Sequence, residues 1–219
     1  MAEEQRLQLS EQRTFTYRLC AGIVAIVAKV LFRPTVVGAG NIPLTGPVLI
    51  APIHRSNVDF ALTLFISKRK VFFMAKDSLF RVPILGPLIT HLGAFPVKRG
   101  AADRESMTLS EEVLRQGHAL VLFPEGTRKE GRAVAPLHDG AMFVAARTGA
   151  TIVPVGIGGS DRAMPKGAKL PRFARIRIVV GAPIQPPSSQ GRVARSALAA
   201  KSEELRAALE AVYLESLND

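Results

Sequence analysis

Pro47-Val48-Leu49-Ile50-Ala51-Pro52-Ile53-His54-Arg55-Ser56-Asn57-Val58-Asp59 is the stretch on which the fold turns. Its first half is a short apolar run bounded by Gly46 and His54, which reads as a buried strand. Ser56 and Asn57 are helix-starting residues, and Asp59 falls in the first turn that follows. The expected path is therefore strand, turn, helix, with the helix running through Phe60, Leu62, Leu64, Phe65 and Ile66 to the basic cluster Lys68-Arg69-Lys70.

The same alternation continues outward. Residues 71–75 read as a second strand, and 82–91 as a short helix broken by Gly86-Pro87. Residues 93–98 read as a third strand, and 103–116 as a helix that Gly117 stops. A fourth strand over 119–123 ends in Pro124-Glu125-Gly126, and a helix over 139–148 leads through Gly149 to a strand at 151–157. After a basic stretch at 166–175 come a strand at 176–180 and a closing helix at 192–217. The apolar side of that helix is Ala194, Leu198, Leu205, Leu209 and Val212. Strands alternating with helices predict an α/β fold: one domain with a central, mostly parallel sheet flanked by helices. Ligands of such sheets bind beyond the carboxyl ends of the strands, where His54 and Glu125 both fall.

The chain has 219 residues, enough for one α/β domain with a sizeable core but short for two. Hydrophobic residues make up 47% and charged residues 21%, which excludes a disordered chain. Lys and Arg number 29 against 18 Asp and Glu, a net charge of +11 that suits an anionic partner. With no Trp and two Tyr, a base-stacking platform for single strands is poorly supplied. The single cysteine, Cys20, excludes an internal disulfide and fits a reducing compartment.

Residues 1–34 form an N-terminal segment distinct from the domain expected over 35–219. A polar stretch to Arg13 precedes an apolar run from Leu19 to Ala28, which Lys29 interrupts and Arg33-Pro34 closes. The run is shorter than the roughly 20 residues of a comfortable membrane span, and no small-x-small cleavage site follows it. Two readings remain level. One is a helix in the membrane interface with Arg13, Arg18, Lys29 and Arg33 among headgroups; the other is a buried core helix.

Three constellations could carry chemistry. In the first, His54 and Asp59 are five apart, about 140° round a continuous helix and a poor contact there. With His54 on the strand-to-helix turn, Asp59 can fold back to fix its tautomer and leave the other ring nitrogen as a base. A helix N-terminus with a favourably placed carboxylate explains the same residues. In the second, Phe123-Pro124-Glu125-Gly126-Thr127-Arg128 puts a Gly turn and cations after a strand, a way to hold phosphate. There Glu125 could receive a substrate hydroxyl or orient Arg128, although an exposed, solvated turn fits as well. In the third, Gly93-Ala94-Phe95-Pro96-Val97-Lys98-Arg99-Gly100 sets Lys98 and Arg99 at a strand end, Arg99 as a bidentate fork for phosphate or carboxylate.

Taken in order, HRSNVD, GAFPVKRG and FPEGTR, followed by Ile152-Val153-Pro154-Val155, resemble the glycerolipid acyltransferase family, whose best-known members are the 1-acyl-sn-glycerol-3-phosphate acyltransferases. The resemblance covers residues 47–157. It implies that His54 is the catalytic base and Asp59 its orienting partner. It also implies that Gly93, Phe95, Arg99, Glu125, Gly126, Thr127 and Arg128 bind the glycerophosphate part, and that Val153 and Pro154 shape the acyl region. The chain departs from the pattern at Ile53, where Asn often precedes the histidine, and at His138, where many members carry Lys. A neutral His there weakens phosphate recognition and leaves the acceptor open.

The implied reaction moves a fatty acyl group from acyl-CoA or acyl carrier protein to the sn-2 hydroxyl of 1-acyl-glycerol-3-phosphate, giving phosphatidic acid. The thioester is a co-substrate, and neither cofactor nor metal is implied; His54, His91, His118 and His138 lack zinc spacing. The expected partners are the two substrates and an anionic membrane surface, not nucleic acid, at the cytoplasmic face of the cell membrane. Rival readings are transfer to another lysophospholipid or glycolipid, and a non-catalytic basic protein on anionic membranes. A hydrolase ranks last, because no G-x-S-x-G elbow supplies a nucleophile.

Overall fold

The computed structural model describes residues 14–97, 102–187 and 193–218, the side chains of 102–104 excepted. The elements follow in chain order: α1 (Phe15–Phe32), β1 (Thr35–Val37), β2 (Val48–Pro52), α2 (Asp59–Leu62), β3 (Val71–Lys76), α3 (Asp77–Phe80), α4 (Leu85–His91), β4 (Ala94–Val97), α5 (Ala102–Arg115), β5 (Ala119–Val121), α6 (Gly140–Thr148), β6 (Thr151–Gly158), α7 (Ser160–Ala163), β7 (Arg177–Val180) and α8 (Arg195–Leu217). The strands form one seven-stranded sheet in the order β1-β7-β6-β2-β5-β3-β4. Every pair is parallel except β6 with β7.

The apolar run that opened the sequence reading is central β2, buried at every position between β5 and β6. In a parallel sheet both faces are covered by helices, so a central strand needs no polar face. The chain leaves β2 for β3 on one side and returns later to β6 on the other. The carboxyl end of β2 is therefore a topological switch point, the place where such sheets hold ligands. Ile50 pairs with Val121 in the β2–β5 register, and His54 and Glu125 each lie four residues beyond that pair. Parallel register alone brings them out of the sheet side by side.

Three local departures from the sequence reading have physical causes. The helix expected to run to Ile66 is short α2 followed by a 3-10 turn at Thr63–Phe65. Its start is delayed to Asp59 because the Asp59 carboxylate gathers the backbone N–H groups of Arg55 and Ser56 into a tight loop. Gly86-Pro87, expected as a break, lies in the first turn of α4, where Pro costs no helical hydrogen bond. Gly86 is there for space, since a Cβ would stand 2.2 Å from the Phe80 carbonyl oxygen. The antiparallel β6–β7 pair carries the chain back to edge strand β1.

Helix α8 packs on β6 and β7. Leu205, Leu209 and Val212 are buried as expected, while Leu198 is half-buried and Ala194 exposed. Its close approach needs glycine in β6: a Cβ on Gly156 would lie 2.2 Å from the Val212 oxygen, and one on Gly158 2.0 Å from that of Ser216.

Helix α1 is not a core helix. It spans 18 residues with mean hydropathy 1.8, long and apolar enough by length and composition to cross a membrane. Only Tyr17, Ala28 and Phe32 are buried. Phe15, Leu19, Ile23, Ile26 and Val30 form an exposed apolar stripe at helical spacing. Tyr17 near one end and Phe32 at the other both face the protein, so the helix lies along the body over its whole length. Lys70 stands over the Tyr17 ring at 5.6 Å, and burial holds its ammonium below the usual lysine range.

Candidate active site

The His54 ring and the Asp59 carboxylate meet at 3.0 Å, Nδ1 to Oδ2, despite their unfavourable helical spacing. They meet because the residues between them are a loop. Asp59 Oδ2 accepts the backbone N–H of Arg55 at 2.8 Å and of Ser56 at 2.7 Å, so the carboxylate shapes the turn it belongs to. Asp59 is fully buried, whereas the His54 side chain keeps 19% exposure. An ionised Asp59 accepts from Nδ1–H and leaves Nε2 as the acceptor of a partly exposed ring. The ring is steadied by Phe123, stacked at 4.0 Å between centroids.

Beneath this pair lies a buried ion pair that sequence reading did not assign. Arg55, 3% exposed, donates Nη1 to Glu125 Oε2 at 2.7 Å. It also donates to the carbonyls of His54, Gly131 and Ala133. Glu125 is fully buried; Oε2 also accepts the His54 backbone N–H at 3.1 Å, and Oε1 accepts that of Ala135 at 3.1 Å. Both Glu125 oxygens thus accept bonds from the protein, and these bonds hold the histidine loop. Beyond Arg55 sits the Tyr213 ring of α8, 5.1 Å from the guanidinium carbon. Burial pushes the Tyr213 phenol above its ordinary value, against the pull of Arg55.

The turn after β5 closes over the pair. Gly126 adopts φ +68°, and the His138 ring lies against it where a Cβ would come within 2.7 Å. The Lys129 N–H donates to the His54 carbonyl at 3.0 Å. Arg128 is half-buried, and its Nη1 is buried with no hydrogen-bond partner among the described residues. A cleft of about 380 Å³ opens here, lined by Arg55, Arg128, Lys129 and Lys166 against Glu130 and Asp161. With Arg55 paired to Glu125 and Lys166 to Glu130, Arg128 and Lys129 against Asp161 still leave the cleft positive, which favours an anionic guest.

The fold thus gathers His54, Asp59, Glu125, Gly126, Thr127 and Arg128 at one sheet edge. Of these Arg128 lines the cleft and the others stand beside it, while Gly93, Phe95, Val153 and Pro154 do not line it. Gly93, at φ +99°, is needed where a Cβ would stand 2.9 Å from the Val71 carbonyl oxygen, and Phe95 is buried in β4. Val153 and Pro154 are buried in β6, paired with Ile50 and Ala51. Arg99 lies outside the described residues. Arg55 could have been suspected from sequence, since a cation directly after a buried strand needs a partner; Tyr213, on a distant helix, gave no such signal.

Chemically the arrangement can supply a general base: a histidine oriented by a buried carboxylate, beside a cationic cleft, at the switch point of a parallel sheet. Comparison with known proteins sharpens that class. The family model described as Acyltransferase matches residues 33–158, more than half of the chain. This chain belongs to the acyltransferase family. It is 28% identical over 157 residues to the chloroplastic 1-acyl-sn-glycerol-3-phosphate acyltransferase LPAT1 of Arabidopsis thaliana, covering 70% of this chain and 44% of that one. It is 26% identical over 190 residues to the 1-acyl-sn-glycerol-3-phosphate acyltransferase of Bacillus subtilis, covering 86% and 92%. The chain spans less than half the length of the chloroplastic relatives it matches. Among solved structures, the 1-acyl-sn-glycerophosphate acyltransferase PlsC of Thermotoga maritima aligns with a TM-score of 0.74 over 91% of this chain and 79% of that one, at 24% identity, a likeness of fold.

Proposed function

We propose that this chain transfers a fatty acyl group from acyl-CoA or acyl carrier protein to the sn-2 hydroxyl of 1-acyl-glycerol-3-phosphate. The observation that carries the reading is the 3.0 Å contact between His54 Nδ1 and buried Asp59, which leaves Nε2 as the acceptor of a partly exposed ring. His54 Nε2 takes the proton of the acceptor hydroxyl as its oxygen attacks the thioester carbonyl. Asp59 stabilises the imidazolium that forms, and the thiolate leaves and takes up that proton as the tetrahedral intermediate collapses. No acyl-enzyme is needed. The buried, partnerless Nη1 of Arg128 supports a role in holding the acceptor phosphate.

His138 favours a second reading of the acceptor. It presents an imidazole at the Gly126 turn, where many family members carry a lysine, so a lysophospholipid with a larger headgroup than bare phosphate fits the same mechanism. For α1 the reading is a seat in the membrane interface at the cytoplasmic face; the exposed stripe supports the interfacial seat.

Incubating the purified protein with lysophosphatidic acid and either acyl-CoA or acyl carrier protein thioester, and identifying the lipid product by mass spectrometry, tests this. Phosphatidic acid from either donor is the expected product. Turnover confined to another lysolipid would move the acceptor, and no acylated lipid from folded protein would end the reading.

A further inference from the structure

Residues 161–175, Asp-Arg-Ala-Met-Pro-Lys-Gly-Ala-Lys-Leu-Pro-Arg-Phe-Ala-Arg, line the cleft at their start and join the active site to α1. At one end Ser56, in the histidine loop, donates its hydroxyl to the Met164 carbonyl at 2.8 Å. At the other, the N–H groups of Ala174 and Ile176 donate to the carbonyls of Leu31 and Phe32, the last turn of α1, at 3.1 and 3.0 Å. Between these anchors the segment is folded onto itself by Arg172 N–H to the Ala163 carbonyl at 2.7 Å.

Its composition is that of neither a core segment nor an ordinary loop. Leu170 is 77% exposed and Phe173 78%, each among the most exposed large apolar side chains described. Lys166, Lys169, Arg172 and Arg175 recur at every third position, and Asp161 is the only acid in the stretch. Lys166 reaches Glu130 at 3.5 Å. Among the described residues no ion pair joins Lys169, Arg172 or Arg175 to a carboxylate. One exposed Leu needs no explanation. A Leu and a Phe three residues apart, framed by uncompensated cations, in a segment bonded to the last turn of a helix whose Val27 and Val30 are also exposed, make an amphiphilic surface.

We propose that residues 166–175 are a second membrane contact, in which Leu170 and Phe173 enter an anionic bilayer beside α1 while Lys169, Arg172 and Arg175 meet its phosphates. This rests on the reading of α1 as an interfacial helix. It adds that the mouth of the cleft is set against the lipid surface: the segment that lines the cleft at Asp161, Pro165 and Lys166 continues directly into the inserted part. An acceptor lipid then needs to rise only by its headgroup to reach His54, its acyl chain staying in the bilayer.

The chain has no tryptophan, so Phe173→Trp supplies a single tryptophan, whose emission is excited apart from that of the two tyrosines. The test adds vesicles of phosphatidylcholine and phosphatidylglycerol, with and without brominated acyl chains. The expected result is a blue-shifted emission that brominated lipid quenches. In Phe143→Trp, on α6 in the layer with α5 and α8, emission should not be quenched. The triple variant Lys169→Gln/Arg172→Gln/Arg175→Gln, with unchanged circular dichroism, should bind these vesicles about tenfold or more weakly, each surface cation contributing to the attraction. Phe173→Trp emission that stays water-like on vesicles to which the protein sediments, wild-type affinity in the triple variant, or no vesicle binding at all would each overturn the proposal. Turnover of a short-chain, water-soluble acceptor by the same variants keeps the two readings apart. A second contact that exists on a protein without transferase activity gives quenching and no turnover; the converse gives turnover and no quenching.

Discussion

Replacing Glu125 by Gln distinguishes a residue that binds substrate from one that holds the histidine loop. The carboxylate accepts three hydrogen bonds, from His54 N–H, Arg55 Nη1 and Ala135 N–H, at 3.1, 2.7 and 3.1 Å. A glutamine of the same shape offers one carbonyl oxygen. Its amide nitrogen must face either Ala135 N–H or the Arg55 and His54 donors, so a donor opposes a donor. It also leaves the Arg55 charge, with its side chain 1% exposed, without a counter-ion. Removing one partner of a buried ion pair costs about 3–5 kcal/mol. For a domain of this size each kcal/mol lowers Tm by roughly 2–4 °C, so Tm should fall by about 6–20 °C. Thermal unfolding followed by circular dichroism in detergent measures this, with steady-state kinetics on the protein that remains folded. The variant should lose kcat, because the backbone of His54 loses its anchor. Wild-type Tm with a raised KM and unchanged kcat would refute the reasoning and return Glu125 to the substrate.

Asp59→Asn keeps an acceptor for the loop N–H groups but removes the charge that stabilises a protonated His54; kcat should fall by about 10²–10⁴ with a small change in KM, measured by thioester consumption. Arg128→Gln should raise KM for a phosphate-bearing acceptor, lowering kcat/KM by about 10- to 100-fold, and should leave Tm near wild type because Nη1 makes no internal bond. Tyr213→Leu should cost about 1–2 kcal/mol in an unfolding experiment through the lost ring under Arg55, and Tyr213→Phe much less. Gly158→Ala should destabilise by about 1–3 kcal/mol or more in the same measurement, as α8 is forced off the Ser216 carbonyl.

The architecture was legible wherever a burial pattern set it. The run at β2 had no polar face to lose, and the later strands and helices fell where apolar periodicity and Gly stops put them. The antiparallel turn of β7 against β6 was not legible, because a four-residue apolar strand reads the same in either direction. Nor was the late start of α2, since Asp59 bonding backward to the N–H groups of Arg55 and Ser56 is a local side-chain alternative to the helix. At the site, the His54–Asp59 pairing followed once His54 was placed on a turn. The place of Glu125 did not follow, because its side chain was weighed against the cations after it in sequence rather than Arg55 across the sheet. For α1, sequence left interface and core level; the exposure of Leu19, Ile23 and Ile26 excludes the core.

The central claim, that His54 is the base of an acyl transfer, is tested most directly by thioester consumption with lysophosphatidic acid, wild type beside His54→Ala at matched folding. Acceptor-dependent turnover in the wild type and a loss of about 10²-fold or more in the variant is the predicted result. Equal turnover by both proteins would contradict it.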